Sequence, residues 1–224
     1  MRTGLKALSW ALIGFVVLCT MLFWPAGTFN YWQAWVFIAV FTLATIVPSI
    51  YLGRTDPAAL QRRMHGGPRA ETRAVQKIVI IGALLGLYAM LVFSAFDHRF
   101  GWSPVSAAVS LLGDVLIVIG LGLGMLTIKQ NSYAAVTVRV EAGQKLASSG
   151  LYGLVRHPMY TGNVILMLGI PLALGSYWGL LFIIPGVAVL IFRILDEEKL
   201  LSQDLAGYRE YTQRVRYRLV PYVW

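Results

Sequence analysis

The sequence predicts an all-α integral membrane protein of about six transmembrane helices, the last two forming a helical hairpin, with a cytosolic C-terminal helix. Three observations predict it. Hydrophobic residues make up 58% of the 224 residues and charged residues 13%, with a mean hydropathy of +0.67; soluble domains run at roughly 45–50% apolar and 25% charged. The apolar residues gather into runs of about 20, the length that crosses about 30 Å of hydrocarbon as a helix. The basic residues, 19 Lys+Arg against 10 Asp+Glu for a formal charge of +9, sort to one side of those runs. In a soluble chain that excess would point to nucleic acid; here it reports topology, and no nucleic-acid partner is expected.

Taken in order, the first run spans 5–24, behind Arg2 and Lys6. It is too long for a secretory h-region, and Phe23-Trp24-Pro25-Ala26-Gly27 is a poor cleavage site, so it reads as a retained span. Its Cys19, the lone cysteine, supplies neither a disulfide nor a metal cluster and reads as a packed, inert thiol. The second run spans 31–52. In the polar segment 53–76, Pro57 is positioned to start a short helix over 58–64. Its Arg62, Arg63 and Arg69 suit anchoring at an anionic leaflet, about 1 kcal/mol each, better than a substrate site.

The third and fourth runs span 77–96 and 106–128. Gly82 and Gly86 have small-xxx-small spacing, and Gly120-Leu-Gly122-Leu-Gly124 imitates a dinucleotide fingerprint. That fingerprint needs a strand before it and a helix start after it, so inside a span these glycines are expected to pack helices. Asp114 lies within the fourth run, where an ionised carboxylate is expensive; an interhelical hydrogen bond is the expected solution. The last run, 163–195, would extend about 50 Å as one helix. Gly175-Ser176, Pro171 and Pro185 interrupt it, so it is expected to enter the membrane and return.

With the N-terminus inside, this arrangement leaves 18 of the 19 basic residues on the cytoplasmic side and only Arg99 outside; a single last crossing would split them 12 against 7. Trp24, Tyr31, Trp32, Trp35, Trp102, Tyr177 and Trp178 fall at the outer ends, as an aromatic belt would. Both termini are expected in the cytoplasm, in a bacterial inner membrane. The polar mass lies in 53–76, 129–159 and 196–224, so chemistry is expected on that face.

Two cytoplasmic segments flank the hairpin. One contains Gly150, Tyr152, Arg156-His157-Pro158, Tyr160 and Gly162; the other contains Arg193, Asp196-Glu197-Glu198, Gly207-Tyr208, Tyr211, Arg216 and Arg218. The hairpin turn returns the chain to the same face, so Arg156, His157, Tyr160, Arg193, Glu197 and Glu198 can converge. Arginine offers a fork for carboxylate or phosphate. Tyrosine faces attract a cation such as a sulfonium. A glutamate binds an ammonium or ribose hydroxyls, although helix neighbours diverge by about 100° and only one of the pair is expected to face the site. Pro158 holds the backbone of His157 extended. No Ser-His-Asp set, H-E-x-x-H or Cys/His cluster is present, which disfavours hydrolase and zinc chemistry and leaves no metal expected. The alternative is that all six are interfacial anchors and ion pairs.

The pattern Gly150-x-Tyr152-x-x-Val155-Arg156-His157-Pro158-x-Tyr160-x-Gly162, then Gly175-Ser176, then Arg193-x-x-x-Glu197-Glu198-x-x-Leu201, then Gly207-Tyr208-x-x-Tyr211-x-x-x-Val215 and Pro221, resembles the isoprenylcysteine carboxyl methyltransferase family, which is grouped with the membrane phospholipid N-methyltransferases. The resemblance covers roughly 129–221. It implies an S-adenosylmethionine-dependent methyltransferase built in the membrane without a Rossmann domain, with residues 1–105 as N-terminal spans and 106–224 as the methyltransferase core. It further implies that His157, Tyr160, Gly162, Glu197 or Glu198, Tyr208 and Tyr211 line the cofactor. Arg156 and Arg193 would face the acceptor or brace the cofactor carboxylate and, with Glu198, form the catalytic set. From Glu198 to Gly207 this chain has one residue more than the family spacing, and Leu205-Ala206-Gly207 replaces Phe-Gly.

The expected reaction is methyl transfer to a carboxylate on a lipophilic, prenylated or lipid-like substrate, with membrane lipids as the other partners. Such a transfer depends on positioning and exclusion of water; an amine acceptor would also need a proton acceptor among Glu197, Glu198 and His157. Competing expectations are an amine-methylating phospholipid enzyme, an NADPH-dependent membrane reductase, and a scaffold that binds anionic lipid.

Overall fold

In hydrocarbon each backbone N–H and C=O must be satisfied within its own segment, so apolar runs of this length fold as helices. The computed structural model describes residues 2–64, 70–71, 73–134, 137–141 and 143–224, with side chains from residue 12 onward. Among these residues there are eight α-helices and no strand: α1 (Arg2–Ala26), α2 (Trp32–Thr55), α3 (Pro57–Met64), α4 (Ala74–Phe100), α5 (Ala107–Gln130), α6 (Pro158–Ala173), α7 (Ile183–Asp204) and α8 (Tyr208–Arg214). Short 3-10 segments lie at Gly150–Gly153 and Trp178–Phe182.

Local chemistry sets the boundaries. Asp56 Oδ1 accepts from Ala59 N (3.0 Å) ahead of Pro57, which starts α3 where the sequence predicts. Gly101, at φ +65°, ends α4, and Ser106 caps α5 by accepting from Val109 N. Pro158 occupies the first turn of α6, where its missing N–H costs nothing.

Among the described residues, four segments are long and apolar enough to cross a membrane: Trp32–Thr55, Ala74–Phe100, Ala107–Gln130 and Trp178–Asp204. The part of α1 whose side chains are described, Leu12–Ala26, and α6 are shorter apolar helices. At 16 residues, α6 is about 24 Å long. The predicted hairpin is present, turning at Gly175 (φ +70°) and Ser176.

Helices α5 and α6 run antiparallel with their backbones in contact. A Cβ on Gly113 would stand 2.2 Å from Ala173 N, and one on Gly120 would stand 2.7 Å from Gly162 O. From the other side, Gly162 and Gly169 would meet Gly120 O and Gly113 O at 2.6 and 2.9 Å. Four glycines, two per helix and seven apart, thus make the seam, which suits a medium where close packing replaces the hydrophobic effect. Of the glycines expected to pack helices, Gly120 does so, and a Cβ on Gly82 would only touch Val189 at 3.8 Å; among the described residues, a Cβ on Gly86, Gly122 or Gly124 would have no neighbour within 4 Å.

A core of Leu22, Phe23, Phe37, Leu91, Ile117 and Leu174 fills the half of the bundle that holds the hairpin turn, with Cys19 packed at its margin. Polar side chains tie the turn down. Asp97 Oδ2 accepts from Ser103 Oγ (2.6 Å) and Ser176 Oγ (2.5 Å), and Ser176 Oγ accepts from Gly179 N (2.9 Å). Tyr31 departs from the belt reading: it is fully buried, donates to Leu174 O (2.6 Å) and stacks on His98. The other six belt aromatics are exposed, as expected. Asp114 is buried, and neither carboxylate oxygen finds a hydrogen-bond partner among the described residues, so the expected interhelical bond is not formed.

Arg99 lies at the hairpin-turn end, donating to Pro25 O. Arg62, Arg73, Arg139, Arg156, Arg193 and Arg218 gather at the opposite end. Arg69 and the side chains of Arg2 and Lys6 lie outside the described residues.

Candidate functional site

The first motif is shaped by its glycine. Gly150, at φ +61°, passes beneath the end of α5, where a Cβ would stand 2.8 Å from the Gln130 amide; Gln130 Oε1 instead accepts from Leu151 N (2.9 Å). A 3-10 turn follows, and the backbone N–H groups of Arg156 and His157 donate to Tyr217 O and Arg218 O. Thr161 Oγ1 adds a bond to Leu219 O (2.7 Å). The C-terminal segment is therefore laced to the start of α6.

The two glutamates of α7 part as helix neighbours must. Glu198 turns between two arginines and a histidine: Oε1 accepts from Arg156 Nε (2.7 Å) and lies 3.2 Å from His157 Nε2, and Oε2 accepts from Arg218 Nε (2.9 Å). Arg156 Nη1 donates to Val215 O (3.2 Å). Glu197 turns the other way and accepts from the Tyr160 hydroxyl (2.5 Å), which in turn accepts from Arg193 Nε (2.8 Å). The His157 and Tyr160 rings stack at 5.4 Å.

Beside this network opens a cleft that, with the solvent at its mouth, encloses about 810 Å³. Arg156, His157, Tyr160, Arg193, Glu197, Tyr208 and Tyr211 all line it, together with Tyr152, Arg139 and Lys145. Apolar wall is supplied by Leu146, Pro158, Met159, Leu201 and Leu205. Gly207, at φ +79°, absorbs the turn between α7 and α8, so Tyr208 and Tyr211 reach the cleft despite the extra residue before it. Tyr211 donates to Tyr152 O (2.7 Å), and Tyr152 accepts from Asn131 Nδ2 (3.2 Å). The Tyr208 hydroxyl is buried without a partner among the described residues. Burial pushes the Tyr152 phenol up to about 12 and raises those of Tyr208 and Tyr211 as well, so all three stay neutral donors.

Gly162 and Glu198 are absent from the cleft wall. Gly162 faces α5, where it permits the close approach to Gly120; a glycine needed for packing leaves the same mark in a motif as one needed for a ligand. Glu198 sits behind the wall and braces Arg156 and His157.

The segment between α2 and α4, expected to anchor at the leaflet, makes contacts within the protein. Arg62 Nε pairs with Glu141 Oε2 (3.1 Å), Nη1 donates to Ser132 O (3.1 Å), and the guanidinium covers the Tyr133 ring. Arg63 reaches Met159 Sδ (3.7 Å). Buried Glu71 accepts from Val138 N (2.9 Å). Arg73 forms a forked pair with Asp196, and the bond raises its pKa. Gln76 joins Arg193 to Asp196. Sequence reasoning missed Gln76, Asp196 and the bracing role of Arg218; the one local signal was a polar side chain at the mouth of an apolar run.

Residues 108–206, under half of the chain, match the family model described as phospholipid methyltransferase, in agreement with the resemblance carried by the two motifs. Over 91 residues the chain is 34% identical to a Delta(14)-sterol reductase of Mus musculus, covering 39% of this chain and 22% of that protein. Over 83 residues it is 35% identical to a probable 7-dehydrocholesterol reductase of Acanthamoeba polyphaga mimivirus, covering 36% and 19%. The chain thus spans about a fifth of the length of these curated relatives. Among solved structures it is similar to the eukaryotic intramembrane Ras methyltransferase ICMT (isoprenylcysteine carboxyl methyltransferase), at 16% identity and a TM-score of 0.46, over 99% of this chain and 86% of that one.

Proposed function

We propose that this protein is an S-adenosylmethionine-dependent methyltransferase working at the cytosolic face on a carboxylate borne by a lipophilic, prenylated or lipid-like acceptor. One observation carries the reading. Residues from two distant motifs, Arg156, His157 and Tyr160 with Arg193, Glu197, Tyr208 and Tyr211, line a single cleft at the base of a hairpin, within a chain matched over 108–206 by the phospholipid methyltransferase family.

The residues fit such a cofactor. The Tyr208 hydroxyl, buried and without a partner among the described residues, offers a hydrogen-bond position for such a ligand. The rings of Tyr152, Tyr160, Tyr208 and Tyr211 offer faces for a cation and for a flat base. Glu197 suits an ammonium or ribose hydroxyls, and Lys145 suits a carboxylate. When bound, such a cofactor would supply a methyl group on a positively charged sulfur, which would leave as a neutral thioether.

The protein's own part is orientation. Arg193, held at Nε by Tyr160 and at Nη1 by Gln76, directs the acceptor carboxylate, which arrives ionised and needs no general base. Arg156, with Nε and Nη1 engaged by Glu198 and Val215 O, braces the wall. Leu146, Pro158, Leu201 and Leu205 keep water from the reacting atoms. Calorimetry on the purified protein is the test: S-adenosylmethionine is expected to bind, and His157→Ala or Glu198→Ala to abolish binding, while unchanged affinity in both refutes the reading. Incubation with membrane lipids and prenylated peptides, read by mass spectrometry for one added methylene unit, identifies the acceptor. Label recovered as a base-labile ester supports the carboxylate; label in a stable N-methyl lipid supports an amine acceptor, with Glu197 as the proton acceptor.

A second reading follows from the 34% identity to a sterol reductase. A reductase would hold NADPH in this cleft, and tighter binding of NADPH than of S-adenosylmethionine would favour it.

A further inference from the structure

We propose that Gln76 is a positioning residue that fixes the plane of the Arg193 guanidinium and so the approach of the acceptor; this rests on the reading of Arg193 as the acceptor-directing group. Gln76 opens α4, outside the segment that carries the two motifs, and is fully buried. Its amide is used at both ends. Oε1 accepts from Arg193 Nη1 (3.1 Å), and Nε2 donates to Asp196 Oδ2 (2.7 Å) and more weakly to Arg193 O (3.4 Å). An acceptor thus faces the cation and a donor faces the anion, and this chemistry fixes which way the amide points.

Arg193 and Asp196 stand three apart on α7, the spacing at which opposite charges on a helix pair directly. They do not pair here, because Gln76 and Arg73 occupy the Asp196 carboxylate: Arg73 Nε donates to Oδ2 (3.0 Å) and its Nη2 to Oδ1. Among its contacts, Arg193 is bound at Nε by the Tyr160 hydroxyl (2.8 Å) and at Nη1 by Gln76. These two bonds lie on different edges of a planar fork and so bear on its orientation. Without the amide, the Nη1 edge loses this acceptor and the bond to Tyr160, which donates to Glu197 in the cleft wall, loosens. A span from the N-terminal part of the chain therefore aims a group in the C-terminal part.

The test compares wild type, Gln76→Ala and the shape-conserving Gln76→Met, which fills the same space but offers Arg193 no oxygen acceptor. Three measurements are made on the full chain in detergent. Arginine side-chain NMR, with the Arg193 signal assigned by its loss in Arg193→Lys, reads Nε–H exchange. Calorimetry reads S-adenosylmethionine affinity. Turnover uses N-acetyl-S-farnesylcysteine as the carboxylate probe. In Gln76→Ala the Arg193 exchange rate is expected to rise about tenfold and kcat/KM for the probe to fall about tenfold, with cofactor Kd held within about twofold. Gln76→Met is expected to match Gln76→Ala in both while keeping the fold. An unchanged Arg193 signal, or a Gln76→Ala loss that Gln76→Met does not share and that tracks loss of folded protein, overturns the proposal. Absence of S-adenosylmethionine binding in the wild type would sink the proposed function instead, and the Arg193 signal would still decide the positioning role.

Discussion

The contact between α5 and α6 gives a quantitative prediction with internal controls. Ordinary contact for a Cβ begins near 3.4 Å, whereas a Cβ on Gly113 would stand 2.2 Å from Ala173 N and 2.8 Å from Gly169 O. In Gly113→Ala the helices must retreat by about 1.2 Å, and in Gly120→Ala, at 2.7 Å from Gly162 O, by about 0.7 Å. The obstructing atoms are helix backbone, which cannot rotate away as a side chain would. Overpacking of this kind costs about 1–3 kcal/mol, against a gain of about 1 kcal/mol for Ala over Gly in a helix. Gly122→Ala and Gly124→Ala, whose Cβ would have nothing within 4 Å among the described residues, keep the gain without the clash. Thermal unfolding in detergent is therefore expected to rank Gly113→Ala lowest, Gly120→Ala next, and the two controls at or above wild type. Gly162 lies two residues from Tyr160, so Gly120→Ala is also expected to weaken S-adenosylmethionine binding. Gly113→Ala and Gly120→Ala melting with Gly122→Ala would refute the close approach.

Glu198→Ala strands the guanidinium of Arg156, whose side chain is 7% exposed, and is expected to cost about 3–5 kcal/mol by thermal unfolding, with Glu198→Gln costing clearly less; equal melting of the two variants would contradict the pairing with Arg156. Tyr31→Phe removes the 2.6 Å bond to Leu174 O and should lower stability by about 1 kcal/mol, an unchanged melting point arguing against the clamp on the turn. Arg62→Ala, at a pair 21% and 27% exposed, should alter global stability by less than about 1 kcal/mol yet speed proteolysis within 131–147; cleavage at the wild-type rate would refute its hold on that segment.

The hairpin was legible because the length of a run against the thickness of a bilayer is a local property, and Gly175-Ser176 interrupts the run where the turn forms. The gathering of Arg156, His157, Tyr160, Arg193 and Glu197 followed from topology alone, since a hairpin returns its ends to one face. The division of labour between Glu197 and Glu198 did not, because the phase of α7 becomes defined only once Tyr160 and Arg156 stand on either side of it. Tyr31 resembled a belt residue because its partner lies 143 positions away. Gln76 was passed over for the same reason: its contacts with Arg193 and Asp196 span 117 and 120 positions, and a single glutamine at the edge of an apolar run carries no periodicity. Asp114 was conspicuous in sequence, yet the described residues give it no hydrogen-bond partner.

The brevity of α6 bears on where an acceptor must be to react. Its 16 residues fall about 6 Å short of the roughly 30 Å of hydrocarbon in an ordinary bilayer. With the turn at Gly175 held by Asp97 and Ser176 at one surface, the shortfall comes at the other end, where Pro158, Met159 and Tyr160 line the cleft. That end of α6 would then lie below the headgroups, or the membrane would dimple to meet it. On the proposed function, a lipophilic acceptor would need no lift into water to present its polar end, and turnover should fall as reconstituted lipids are lengthened and the cleft sinks further from an aqueous cofactor supply.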